Sequence, residues 1–97
     1  MPYEIILAPE AVEDLRSLPA HTRASVRDAI EKHLRHEPSK VSKSRIKRLR
    51  GMKRPQYRLR VEDIRVYFDI AEHSVEVLAI IPKSETQAWL QEQGVRA

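Results

Sequence analysis

Apolar and polar positions change period along the chain, and the changes separate strands from helices. Near the N-terminus Tyr3, Ile5 and Leu7 alternate with Glu4 and Ile6, which predicts a short strand buried on at least one face. Pro9 opens a helix whose apolar stripe is Val12, Leu15 and Leu18. Pro19 closes it, because the residue before a proline disfavours the helical region. A second helix is predicted from Thr22, a candidate N-cap, with Val26, Ala29, Ile30, His33 and Leu34 on one face and Glu37-Pro38 as its stop. The two helices read as an antiparallel αα-hairpin.

Residues 36–47 keep no sustained period and read as a loop, with a short strand expected near Ile46 to Leu49 and ended by Gly51. Two alternating runs then flank Glu62-Asp63, and the apolar run VEVLAII follows the turn-like AEHS, which together predict an antiparallel meander. Pro82 closes its last strand. Ser84 with Gln87 fits a capping box, Trp89 and Leu90 supply apolar anchors, and Gly94 stands where a C′ glycine would, so a short helix ends the chain. The predicted fold class is α+β in a single domain over residues 1–97. Its parts are an N-terminal strand, the αα-hairpin, an antiparallel sheet of three to four strands and a C-terminal helix.

Composition narrows the class. With 97 residues, 41% hydrophobic and 33% charged, the chain is a small soluble domain with a thin core. The absence of cysteine excludes a disulfide framework and a Cys-based zinc site. MPYEIILAPE has no basic leader, and its apolar run from Ile5 to Ala8 falls far short of a membrane span, so a cytoplasmic location is expected. No G-x-G-x-x-G, P-loop or H-E-x-x-H motif occurs. His33 and His36 are three residues apart, a spacing that suits a solvent-facing helix end better than a metal site. Neither a cofactor nor a metal is expected.

Charge changes the picture more. Net charge is +4, but Lys40 to Arg65 holds eleven basic residues against Glu62 and Asp63, a local +9, while the remainder is −5. Applied to the meander, period 2 puts Tyr57, Leu59 and Val61 on one face and Arg58 and Arg60 on the other. In the next strand Ile64, Val66, Phe68 and Ile70 face the core, and Arg65, Tyr67 and Asp69 face away. Like charges on neighbouring strands repel. One reading is a sheet with a solvated charged face whose arginines pair with Asp69, Glu76 or Glu62. The other is a basic patch that grips phosphates while an aromatic ring stacks a base. The upstream basic loop, with Lys47, Arg48, Arg50, Lys53 and Arg54, has the same sign and favours the second.

The stretch LRGMKRPQYRLRVEDIRVYFDI, set between a helical hairpin and an apolar strand that ends in Pro82-Lys83, resembles the RelE/ParE superfamily of bacterial and archaeal toxin–antitoxin toxins over nearly the whole chain. Its specific part is L-R-G, then Y-[RK]-x-[RK], then a strand with a central arginine. The resemblance implies a fold of the microbial RNase type and an antitoxin partner in a hetero-oligomer. For RelE-like members it implies ribosome-dependent cleavage of mRNA. ParE-like members on the same fold poison DNA gyrase, and fold alone does not separate the two. A module that only binds RNA or an antitoxin is a third reading.

Carried over position by position, the RelE pattern makes Arg58 and Arg60 the paired cations of the first catalytic strand and Arg65 that of the next. Lys47, Arg48, Arg50, Lys53, Arg54, Tyr67, Lys83 and Trp89 are then the candidate RNA contacts. Attack of a 2′-hydroxyl on the adjacent phosphate needs a base, cations for the pentacoordinate phosphate and an acid for the leaving oxygen. Arginine fills the middle role, since its planar fork grips two phosphate oxygens and keeps its charge. The sequence departs from the family at the flanks. Relatives of the RelE type carry lysines at the first two places, an arginine after the last strand and a tyrosine near the C-terminus. Ser84 and Leu90 occupy the last two positions here, and Lys83 and Trp89 are the nearest substitutes. The general base and acid stay unassigned.

Overall fold

Glu4–Leu7 forms the first strand, β1, of a computed structural model that describes residues 2–97. Two helices follow, α1 (Pro9–Arg16) and α2 (Ala20–Leu34). Pro9 sits in the first turn of α1, where its missing N–H costs nothing. α2 starts two residues before the expected Thr22. Its N-cap is Pro19, whose carbonyl accepts the Arg23 N–H at 2.8 Å, so the fixed ring of the proline starts the helix in place of a hydroxyl. Strands β2 (Ile46–Arg48), β3 (Met52–Arg54), β4 (Tyr57–Val61), β5 (Ile64–Ile70) and β6 (Ser74–Pro82) come next. A 3₁₀ turn over Lys83–Glu85 leads into α3 (Thr86–Gln93), and β7 (Val95–Arg96) closes the chain.

The main sheet has the order β1-β6-β5-β4-β2. Four of its strands form the expected antiparallel meander, but β1 joins β6 in parallel, Glu4 opposite Ser74 and Leu7 opposite Val77. The sheet is therefore mixed. A parallel neighbour cannot be reached through a tight turn, and the chain between β1 and β6 runs across the helices to the far edge and back through the meander.

Both faces of this sheet carry apolar packing. Ala11 and Leu15 of α1 and Val26, Ile30 and Leu34 of α2 cover one face, against Leu59, Val66, Phe68, Val75 and Val77. The α2 residues are those its spacing predicts, whereas in α1 the buried place expected for Val12 is taken by Ala11, one position earlier on the turn. On the other face α3 covers Tyr67, Ala79 and Ile81 with Leu49, Trp89 and Leu90. α3 is too short to cover that whole face. What it leaves open, toward β2 and β4, is the strip that carries the arginines.

Two short strands escape the alternation rule. β3 and β7 make a separate two-stranded sheet, Met52 opposite Arg96, which ties the C-terminus to the segment after Gly51. The expected capping box is absent: Ser84 lies within the 3₁₀ turn, and Thr86 Oγ donates to the Lys83 carbonyl at 2.9 Å. Gly94 does end α3, but with extended backbone rather than a left-handed cap. A Cβ there would run into the Leu90 carbonyl and the Met52 side chain, so close approach is what requires glycine.

Beyond Leu7 the edge of β6 has no strand beside it, and α1 takes over. Asp14 accepts the Ile80 N–H at 3.0 Å, while burial pushes its carboxyl above the usual range. Asp14→Ala orphans a buried donor and should lower stability by about 1–3 kcal/mol. Asp14→Asn keeps an acceptor without a desolvated charge and should stay near wild type. Urea denaturation of both variants checks the pair.

Candidate functional site

The open strip is a cleft of about 340 Å³ lined by Lys43, Ser44, Lys47, Arg58, Arg60, Arg65, Tyr67, Lys83 and Thr86. Register explains the convergence. Lys47 of β2 lies opposite Arg58 of β4, which lies opposite Tyr67 of β5, so the three share one row across the sheet. The next row pairs Arg60 with Arg65. Lys83 closes the end of the cleft, and its N–H donates to the Asp63 carbonyl at 2.7 Å. Among the described residues, six cations and no carboxylate line this cleft.

None of Arg58, Arg60 and Arg65 has a carboxylate partner among the described residues. Asp69 and Glu76, the acids that cross-strand pairing offered, go to Arg54 instead, at 3.8 and 3.4 Å. Arg58 is half-buried and its Nε is buried without a hydrogen-bond partner. Burial first, then Arg65 and Arg60, pull its pKa below the usual guanidinium value. A guanidinium held among like charges with an unused donor is poised for an anion that offers several acceptor oxygens, such as a phosphate.

Arg65 departs from the expected open position. Only 6% exposed, it donates through one terminal nitrogen to the Glu62 carbonyl at 2.7 Å and the Ile64 carbonyl at 3.1 Å. Glu62 has a φ of 53°, an uncommon value for a side-chain-bearing residue, and Arg65 braces that turn. Its charge reaches the cleft while its hydrogen bonds hold the β4–β5 hairpin.

Tyr67 is likewise not a free platform. Its ring is 3% exposed and stacks on Trp89, with centroids 5.2 Å apart and planes 11° from parallel. Burial raises its pKa, against the opposing pull of Thr86, Arg58 and Arg65, so at neutral pH the phenol is protonated. Trp89 is thus the anchor of α3 onto the sheet, and its exposed side belongs to another groove with Glu10, Asp14 and Arg54. Of the predicted RNA contacts the cleft gathers Lys47, Tyr67 and Lys83 with the three arginines. Arg48 lies on the opposite face, over the Tyr57 ring at 5.1 Å. Arg50, Lys53, Arg54 and Trp89 do not line the cleft. Lys43, Ser44 and Thr86 enter it although the sequence pattern does not single them out. Lys43 belongs to the +9 run, but nothing in the period of that loop signals where its side chain goes.

Comparisons with known proteins identify the family. Residues 5–87 match the family described as the ParE toxin of the type II toxin–antitoxin system parDE. The chain belongs to this toxin family. A search of curated proteins found no match. Among solved structures, the RelB–RelE antitoxin–toxin complex of Methanococcus jannaschii is similar with a TM-score of 0.68 at 21% identity, over 87% of this chain and 96% of that one. The RelE–RelB complex of Pyrococcus horikoshii OT3 gives 0.64 at 26% identity, over 86% and 97%. The RelBE2 toxin–antitoxin complex of Mycobacterium tuberculosis gives 0.67 at 25% identity, over 84% and 99%. The family match and the shared RelE-like fold make the protein a type II toxin of the RelE/ParE superfamily. Among the described residues no helix of this toxin is long and apolar enough to cross a membrane.

Beside the cleft, Arg45 of the toxin reaches back to α2, its guanidinium 2.9 Å from His33 Nε2. Burial, Arg45 and Lys32 hold His33 below the ordinary histidine pKa. The folded state therefore binds fewer protons here than the unfolded chain. Stability from this group is intact above about pH 6.5 and falls as pH drops through the depressed folded value. His33→Gln should flatten the dependence of the urea midpoint on pH below that point.

Proposed function

We propose that this toxin cleaves messenger RNA on the ribosome, with the scissile phosphate seated in the cleft between Arg58, Arg60, Arg65 and Lys47. The observation that carries the reading is Arg58, half-buried with an unpaired Nε among six cations and no carboxylate. Arginine at Arg58 and Arg60 stabilises the extra negative charge of the pentacoordinate phosphate formed when the 2′-hydroxyl attacks. Of the side chains in the cleft, lysine amines and the Tyr67 phenol are the groups able to exchange a proton, and Lys83 is placed at its end. With no histidine or carboxylate to serve as base, positioning carries most of the rate, and the ribosome supplies it by holding the 2′-hydroxyl in line. An acidic antitoxin segment over the same cleft would silence it by occupying the phosphate seat, and the similar solved structures are complexes with antitoxins.

A second reading, poisoning of DNA gyrase, is favoured by the name of the matched family. Induction of the toxin separates them. Cleavage of messengers at codons in the decoding site, mapped by primer extension, with intact chromosomal DNA supports the ribonuclease. Double-strand breaks and stalled gyrase, with messengers uncut, overturn it in favour of the second. Growth arrest with neither outcome leaves a toxin that acts by binding alone.

A further inference from the structure

The loop between α2 and β2 is basic, and it is not loose. Ser42 Oγ accepts the N–H groups of Arg45 and Ile46 at 3.0 and 3.2 Å, and the Ser42 N–H donates to the Ile46 carbonyl at 3.0 Å. The Arg45 carbonyl accepts the Arg60 N–H at 2.8 Å, which fastens the loop to β4, and the Arg45–His33 contact fastens it to α2. Between this pinned loop and the end of α2 runs a groove of about 420 Å³ whose cations are Lys32, Lys40 and Arg45, with His36 beside them and Glu37 as the opposing carboxylate. Ser44 lines both this groove and the cleft of the arginines, so the two adjoin at that residue, just before β2. A third depression alongside carries Asp28 and Glu62 among the cations Lys32, Arg45 and Arg60. Its two acids offset most of that charge, whereas the route over Ser44 passes only Glu37 and is the more favourable one for phosphate.

We propose that this groove is a second phosphate-binding subsite that holds the single-stranded RNA flanking the phosphate in the cleft. The inference rests on the reading of the cleft as a phosphate seat and extends it to a track. Lys32 and Lys40 supply mobile point charges, and Arg45 supplies a fork already oriented by His33 and by the loop hydrogen bonds. Because the groove meets backbone rather than base edges, it adds affinity and registers the strand without selecting sequence.

The test uses the full-length chain and 2′-O-methyl oligouridylates, which lack the attacking hydroxyl, of about three and about eight nucleotides, a length range set by the site sizes of single-strand binders. Wild type should bind the longer one more tightly. Lys32→Ala with Lys40→Ala, both exposed and so without consequence for the core, should weaken the longer oligomer roughly tenfold and leave the shorter one unchanged. The slope of log K against log salt for the longer oligomer should become shallower by about 0.7 for each phosphate that the variant no longer neutralises. Equal affinity and slope in the variant overturn the proposal. So does a variant that keeps RNA binding but loses an acidic peptide, because the groove is then a protein-docking surface. If the short oligomer fails to bind wild type while the longer one binds through Lys32 and Lys40, the groove stands and the cleft reading falls.

Discussion

Replacing Arg58 and Arg60 together by alanine should abolish growth inhibition and leave the domain folded. Each removed donor of charge to a developing oxyanion is expected to slow cleavage by about 10²–10³-fold, and two on one phosphate leave no measurable toxicity. Neither side chain belongs to the core, and neither has an acidic partner to abandon. Arg60 faces Arg65 directly across β4 and β5, and Arg58 carries an unsatisfied Nε, so the double variant relieves repulsion and an orphaned donor at once. Its urea midpoint should equal or exceed that of wild type. Arg50→Ala with Lys53→Ala, which removes the same charge outside the cleft, should stay toxic. A folded Arg58/Arg60 variant that still arrests growth would move the site elsewhere.

Trp89→Ala acts on stability instead. The indole closes the small apolar layer under α3 and stacks on Tyr67, so truncation should cost about 3 kcal/mol, the low end for a large aromatic in a core. In a domain of this size that is a fall of roughly 10 °C or more in Tm. The fraction that remains folded should bind RNA like wild type. Unchanged Tm with lost RNA binding would instead make Trp89 a base-stacking residue.

These two variants mark where the sequence is legible. Arg58 and Arg60 alternate with Tyr57, Leu59 and Val61, and period 2 alone puts them off the core face, where they are found. The helical stripe of Val26, Ile30 and Leu34 is readable for the same reason. Tyr67 obeys the same alternation, yet it is buried, because alternation says which face a residue points to and not what covers that face. The cover is α3, whose docking depends on Trp89 and Leu90 meeting Ala79 and Ile81, contacts between segments with no shared period. Arg65 escapes the pattern through a turn: its hydrogen bonds go to the backbone carbonyls of Glu62 and Ile64, partners that leave no trace in side-chain alternation. The parallel pairing of β1 with β6 and the two-residue β7 are illegible because they join segments far apart in the chain, where no turn length or register constrains them.

The position of β6 bears on when the toxin can act. It is among the last parts of the chain to be made, yet it lies inside the sheet, the neighbour of both β1 and β5. β1 pairs with no other described strand, and Lys83, Thr86 and the helix that buries Tyr67 come later still. A polypeptide interrupted before Ser74 therefore leaves its first strand unpaired, and one interrupted before Lys83 leaves its cleft without an end wall. Products of synthesis that stop short of Lys83 should therefore lack toxicity.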